Sequence, residues 1–440
     1  MNKRLYYSCV YACLLLGLVW RRACLTYVTA AWLVQLCSAF LVWLHMQRPA
    51  YAAIDARYKR KYYHDCGVTI LKPLHGAIPR LEETLETYFQ LKWPRFELIF
   101  CVADANDDAV DVVRRLANKY PRVVQKVSVG NADYINPKLA NLQSGYEAAK
   151  YDMVWMADAN VIASDGALQD MVDKCVGGSP LVHQVPWGIS GPNITADFGT
   201  LFHGSVLERW FFATSHARPY VFLNHLVCTC LTGMSVLLDK SHLDDLGGLS
   251  VFASHINEDA KIGFAFDQRG WHTSLSKHPA LQNLDVFDFD SYVQRRIRWM
   301  RLRHNCADTF VFIPLELLID SHLFTLLAWT SLHLLHGFGR TWLVAHVAAW
   351  LLVDALVFCM MDRAISLPSA WQDRGSTAYF FDWGHVSDKP RGVLFFCLNL
   401  AQHYVMWVVR ELVGVYVRVF ALVNADTVEW RGTVLSTKTE

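Results

Sequence analysis

The sequence predicts an α/β domain held between apolar membrane segments. Three observations carry this prediction. From about residue 64 to residue 305, short apolar runs of strand length alternate with stretches of helical periodicity, a pattern that implies a parallel sheet covered by helices on both faces. Long, nearly uncharged stretches flank that region on either side. Two of the strand-like runs stop abruptly at carboxylates, Ala103-Asp104 and Ala157-Asp158, and the ends of strands are where open α/β sheets place their ligand chemistry.

Composition agrees. Of the 440 residues 53% are hydrophobic and only 18% charged, and mean hydropathy is positive, so the chain reads as a membrane protein with a large polar insert. With 41 Lys and Arg against 40 Asp and Glu there is no basic excess, which argues against a nucleic-acid binder. The twelve cysteines form no CxxC pair and no Cys/His set at zinc spacing. Free thiols of this kind suit a reducing cytosol.

Three blocks follow: 1–63, an N-terminal membrane anchor and basic linker; 64–305, a cytosolic α/β domain; and 306–440, a C-terminal membrane region and tail. In the first, Ala23 to Met46 holds no charged residue and exceeds the roughly 20 residues that a spanning helix needs. Leu5 to Trp20 is apolar but short, and reads as a second span, a re-entrant piece or a signal-like region. Arg48, Arg57, Lys59, Arg60 and Lys61 follow, and this excess places the next block in the cytosol. In the third block, Val311 to His336 and Trp342 to Met361 are candidate spans. Val393 to Val423 is a further apolar region, interrupted by Arg410-Glu411. A charge at the bilayer centre costs roughly 2.5–3.5 kcal/mol, so that pair is expected to split the region or to lie at the interface.

In the middle block the predicted order is strand Val68 to Leu71, helix Leu81 to Leu91, strand Leu98 to Val102 and helix Asp108 to Tyr120. Strand Val123 to Val129, helix Leu139 to Lys150 and strand Met153 to Ala157 continue it. The Rossmann glycine signature is missing from the first turn, so a dinucleotide cofactor is not expected. Phe198 to Phe222 is rich in aromatics with Glu208-Arg209 between them. It reads either as an amphipathic piece lying in the membrane interface or as a core helix of the domain.

The motifs Ile70-Leu71-Lys72-Pro73-Leu74-His75-Gly76, Cys101-Val102-Ala103-Asp104, Asn136-Pro137-Lys138, Asp158-Ala159-Asn160, Leu181-Val182-His183, Thr214-Ser215-His216, Thr232-Gly233-Met234-Ser235, Glu258-Asp259 and Arg295-Arg296-Ile297-Arg298-Trp299 occur in this order. With them the chain resembles the ceramide glucosyltransferases, members of the GT-A-type inverting nucleotide-sugar transferases that also include cellulose, chitin and hyaluronan synthases. The (R/Q)xxRW element is shared with the polysaccharide synthases; the LKPLHG, LVH and TSH pieces carry the ceramide resemblance.

The resemblance implies a GT-A (nucleotide-diphospho-sugar transferase) domain that passes glucose from UDP-glucose to the primary hydroxyl of ceramide with inversion. Asp104 matches the residue that recognises the uridine base; Asp107 and Asp108 either substitute for it or open the next helix. Asp158 matches the DxD position, where a divalent metal, Mg²⁺ or Mn²⁺, bridges protein and diphosphate; by itself it could equally cap the following turn. The third DxD position is Asn160, whose amide supplies no charge, so a second metal ligand is unassigned; His278 is a candidate for it or a surface histidine. Asp259 matches the catalytic base or, with Glu258, simply opens a helix. Arg295, Arg298 and Trp299 match the (R/Q)xxRW motif, two guanidinia for diphosphate oxygens and an indole for the sugar or lipid. Arg296, Arg301 and Arg303 are expected to form a basic belt at an anionic membrane. Lys138 is a phosphate-side candidate and His183 an acceptor-side one.

The partners implied are ceramide, UDP-glucose and a membrane, in an integral protein of the Golgi or ER with its catalytic domain facing the cytosol. The rival readings are a related membrane transferase making a β-glycan or glycosylating another lipid, a channel or transporter, and a scaffold with a degenerate transferase domain. Few C-terminal segments and no evident pathway of intramembrane charges argue against the channel.

Overall fold

The computed structural model describes residues 3–47, 66–130, 133–189, 204–284, 287–304, 322–363, 365, 371, 393–423, 427–430 and 433–436. The basic run Arg48 to Lys61, the sequon Asn193-Ile194-Thr195, Phe198, Phe202 and the first part of the Val311 to His336 stretch lie outside them. Helix α1 is continuous from Lys3–Gln47, so Leu5 to Trp20 extends the strong span rather than standing apart from it.

The chain then alternates: β1 (Val68–Pro73), α2 (Leu81–Phe89), β2 (Phe96–Val102), α3 (Asp108–Lys119), β3 (Gln125–Val129), α4 (Pro137–Glu147) and β4 (Met153–Ala157). Local chemistry sets these boundaries. Asp107 caps α3, its side chain accepting from the Ala109 N–H at 2.9 Å. Asn136 caps α4, accepting from Lys138 N–H and Leu139 N–H at 2.9 and 3.2 Å, with Pro137 preset for the first helical position. Because both sheet faces are covered, β1 and β2 carry continuous apolar runs, Ile70-Leu71 and Leu98 to Val102, rather than alternating. Val68, Ile70, Leu98 and Phe100 enter one core layer, and Leu71, Ile99 and Cys101 enter the other.

Beyond β4 come β5 (Val161–Ile162), α5 (Asp165–Val176), β6 (Leu181–Ile189), α6 (Gly204–Trp210), a π-helix (Phe211–His216), α7 (Ala217–Leu226), β7 (Ser235–Asp239), α8 (Lys240–Asp245), α9 (Glu258–Gln268), β8 (Thr273–Asn283) and α10 (Phe289–His304). The eight strands form one sheet, ordered β3-β2-β1-β4-β7-β6-β8-β5. The expectation of a parallel sheet holds for β3-β2-β1-β4 and for the β6–β8 pair but not for the other pairings. β7 runs antiparallel to both β4 and β6, and β5 antiparallel to β8, so the sheet is mixed.

The C-terminal helices are α11 (His322–His336), α12 (Arg340–Arg363) and α13 (Val393–Leu422), followed by the antiparallel pair β9 (Thr427–Trp430) and β10 (Thr433–Ser436). Among the described residues, Leu16–Gln47 and Arg340–Arg363 are long and apolar enough to cross a membrane. α13 is unbroken at Arg410-Glu411, contrary to the expected split. Arg410 is buried and donates to Asp354 of α12 at 2.7 Å, and also to Thr214 and Glu411. Asp354 in turn holds Arg218 of α7 and the Trp407 indole, the latter at 2.7 Å. Paired charges avoid most of the cost that an isolated one would meet.

The aromatic stretch resolves as core rather than interface: Trp210, Phe212 and Tyr220 are buried, and Trp210 packs on Phe358 of α12 with centroids 4.8 Å apart. One core cluster accordingly joins β6, α6, α7 and α10 to α12 and α13.

Candidate functional site

The order β3-β2-β1-β4 reverses direction at β1, and the crevice beyond the ends of β1 and β4 is where such sheets bind ligands. A cavity of about 830 Å³ opens there, bounded by Pro73 and Leu74 after β1 and by Asp158-Ala159-Asn160 after β4. Its floor is a charge cluster. Lys138, in the first turn of α4, lies 3.1 Å from Asp158 and 3.3 Å from Glu258, and donates to the Gly233 carbonyl at 2.6 Å. Gly233 has φ +27°, and a Cβ there would sit 3.1 Å from Lys138 Nζ and 3.2 Å from Asp259 Oδ2, so the backbone turn needs glycine to pass this close to both groups. Burial works against the charge on Lys138, but Asp158, Glu258 and Asp259 outweigh it and hold the amine above the usual lysine range.

Asp259 sits in the first turn of α9, where its Oδ1 accepts from the Ala260 N–H at 2.8 Å. Burial first, and the neighbouring Glu258 second, push its carboxyl up to about 7, against the pull of Lys138. Glu258 does not point away from the site, as a regular helix would suggest: it too lines the cavity, held by Lys138 and by Asn136 Nδ2, which donates at 2.7 Å. Beneath Asp158, the buried Lys72 donates to the Asp158 and Val161 carbonyls, fixing the turn in which the carboxylate stands.

Helix α10 supplies the opposite wall. Arg295, Arg298 and Trp299 all line the cavity. Arg295 lies 3.2 Å from Glu208, and Arg296 2.9 Å from the same carboxylate. Arg296 is buried between Phe211 and Trp299, its guanidinium carbon 3.9 and 4.2 Å from their ring centroids. The expected membrane belt is therefore corrected. Arg296 is an internal brace for Trp299, Arg303 lines the cavity, and Arg301 donates to the Phe420, Val423 and Thr427 carbonyls at the end of α13. A charged pair inside an aromatic segment, Glu208-Arg209, is the signal that could have announced such a brace.

Other expected residues fall outside the lining. Asp104 ends β2 on the same edge of the sheet, exposed, with Oδ1 accepting from the Asn106 N–H at 2.9 Å. Asp107 spends both carboxylate oxygens on the Gly76 N–H, at 2.9 and 3.0 Å. His183 is buried behind the wall, its Nδ1 sharing a 2.6 Å hydrogen bond with the Tyr220 hydroxyl. Burial, helped by His45, takes its pKa down to about 3, so the ring is neutral and Tyr220 is the group that faces the cavity. The π-helix carries His216 to the lining, stacked on Tyr220 at 5.0 Å. His278 is not a ligand candidate: its ring covers Gly166 at the start of α5.

For a metal, Asp158 offers hard oxygens at a strand end, with about a third of its side chain open. Asn160 directs its amide nitrogen to the Asn283 carbonyl at 3.5 Å. Among the described residues no group of three or more His, Cys, Asp or Glu is placed to hold an ion. This donor set fits a hard divalent cation carried on Asp158 and otherwise by diphosphate and water, and does not fit an all-protein cage.

Comparison with known proteins finds relatives over most of the chain. The chain is 30% identical over 373 residues to ceramide glucosyltransferase 3 of Caenorhabditis elegans, covering 84% of this chain and 72% of that one. It is 30% identical over 429 residues to a ceramide glucosyltransferase of Komagataella phaffii, covering 83% and 81%. Among solved structures, a mannosyltransferase of Pyrobaculum calidifontis aligns over 92% of this chain and 99% of its own at 17% identity, with a TM-score of 0.47. The profile of glycosyl transferase family 21 matches residues 27–440, a span that takes in the sheet, the charge cluster, the α10 arginines and α13 together, and the chain belongs to that family.

Proposed function

We propose that the protein transfers glucose from UDP-glucose to the primary hydroxyl of ceramide in a single inverting displacement, giving glucosylceramide. The observation that carries this reading is the cavity itself. One space is bordered by a carboxylate base, by arginines, and by the apolar faces of Leu223, Met300 and Val417, so it can take a charged donor and a greasy acceptor at once. The acceptor oxygen bonds to the anomeric carbon as that carbon's bond to the diphosphate breaks. The proton passes to Asp259 and the bonding pair leaves with UDP. A carboxylate raised toward neutrality suits this work, because a base is most useful when its pKa lies near the working pH. Arg295 and Arg298 are assigned to the diphosphate oxygens, Lys138 to the phosphate side, Asp104 to the uridine base, and Trp299, with His183 acting through Tyr220, to the acceptor side. A divalent metal, Mg²⁺ or Mn²⁺, held at Asp158 would add positive charge opposite the departing diphosphate.

The organisation we propose is 1–63 as anchor and basic linker, 64–305 as the cytosol-facing catalytic domain and 306–440 as membrane region and tail, in a Golgi or ER membrane. The test is to incubate purified protein with ceramide and labelled UDP-sugars, with and without a chelator, and to determine the product's anomeric configuration. β-Glucosylceramide formed from UDP-glucose alone supports the reading. An α product, or transfer only to acceptors other than ceramide, overturns it.

A further inference from the structure

Helix α13 does more than close the C-terminal region. Arg410, Glu411, Val413, Gly414, Val417 and Arg418 all line the same cavity as Asp158 and Asp259. Their three- and four-residue spacing makes one face of a helix, while Leu412, Tyr416 and Val419 on the other side are exposed. The catalytic cavity thus has a wall made from an apolar helix, and that wall changes character along its length. At one end Arg410 is tied to Asp354, Thr214 and Glu411. Further along come Val413 and Val417, both buried.

Gly414 lies between them, in the interior of a 30-residue helix, where glycine is among the poorest formers. Glycine inside an apolar helix usually serves close helix packing, but among the described residues no helix packs against this glycine. The one atom near a Cβ added at Gly414 is Arg418 Nη1 at 3.3 Å, the far end of a flexible side chain. Among the described residues no backbone of a neighbouring helix comes within 4 Å of it. The missing side chain leaves a space on the cavity side of α13 that only the movable end of Arg418 borders.

We infer that an alkyl chain of the lipid acceptor lies along the Val413, Gly414 and Val417 stripe of α13, and that Gly414 sets how long a chain is accommodated. This rests on the lipid-acceptor reading above. Between the charged ends at Arg410-Glu411 and Arg418, the Val413, Gly414 and Val417 segment is apolar, and its continuity with the catalytic cavity selects a hydrocarbon chain as its occupant. Leu223, Met300 and Leu302 add further apolar lining to the same cavity.

The test uses the full chain in lipid nanodiscs with ceramides of short and long N-acyl chain. Gly414→Leu fills the slot and should lower the long-to-short ratio of kcat/KM by about tenfold, the scale on which an apolar pocket discriminates chain size. Val417→Ala widens the slot and should raise that ratio. Leu412→Phe, on the outward face and 65% exposed, should leave it at the parent value. A ceramide with a photoreactive group at the chain end, independent of turnover, should cross-link to the peptide containing Gly414 and lose that cross-link in Gly414→Leu. Thermal stabilisation by UDP identifies the variants that are folded. An unmoved ratio in folded Gly414→Leu and Val417→Ala, or cross-linking confined to other elements, overturns the inference. A parent protein that cross-links at Gly414 yet glucosylates neither ceramide upholds the channel and overturns the proposed reaction instead.

Discussion

Burial and Glu258 raise the Asp259 carboxyl to about 7 while Lys138 opposes them, and two measurable consequences follow. A base must be ionised to work, so transfer should rise with pH through about 7 and level off above it. Asp259→Asn should remove that limb and cost roughly 10²–10⁴ in rate, with UDP-glucose binding retained. Stability should move the other way. Between the ordinary carboxylate range and about 7 the folded protein binds the extra proton, so raising pH costs stability across that window, and Asp259→Asn should melt higher than the parent on its alkaline side. A variant that transfers normally, or melts no higher there, would sink the assignment. Arg298 and Arg301 give a second contrast. Arg298→Ala should cost about 10²–10³ in rate, as loss of a preorganised partner does. Arg301→Ala, which only uncovers carbonyls at the end of α13, should show up in melting temperature and barely in turnover. The motif spacing made Asp259 and Arg298 legible. Glu258 was not legible as a lining residue, because adjacent helix residues generally face apart, whereas here the Lys138 ammonium holds it at 3.3 Å.

At the scale of elements, the strands before Asp158 and the helices between them were legible because burial on both faces leaves uninterrupted apolar runs, with Asp107 and Asn136 marking the helix starts. The antiparallel turn of the sheet at β7 was not, since strand direction depends on how the chain returns rather than on the strand's own residues. The Arg410-Glu411 pair was misjudged for a related reason. Sequence sets a charge against lipid, whereas its partners Asp354 and Thr214 arrive from elements 56 and 196 positions away. Removing the shared carboxylate tests that account. Asp354→Asn leaves Arg218 and Arg410 without their common counter-charge, and breaking a buried pair in this way typically costs about 3–5 kcal/mol. Thermal unfolding in detergent should show a clear drop in melting temperature, and an unchanged one would mean that the network adds nothing to the attachment of α7 to α12 and α13.

For the whole molecule, the division into a sheet domain and apolar ends was readable from hydropathy, but the sharing of one cavity between them was not. The lining joins Asp158, the α10 arginines and α13, groups separated by more than a hundred residues, and no local pattern records that they converge. Under the proposed reaction the shared cavity makes orientation a functional matter, because a nucleotide sugar and a membrane lipid would both have to reach it. Arg48, Arg57, Lys59, Arg60 and Lys61 follow the N-terminal span, and such an excess is retained on the cytosolic side. Asn193-Ile194-Thr195, the chain's one N-x-[ST] site, falls in the sequence between β6 and α6, within the block that the proposed orientation keeps in the cytosol, away from the lumenal glycosylation machinery. Expressed in a eukaryotic host, the protein should therefore carry no glycan at Asn193, and its gel mobility should not respond to an N-glycan-removing enzyme. A shift that the enzyme reverses and Asn193→Gln abolishes would put the catalytic cavity on the opposite face of the membrane.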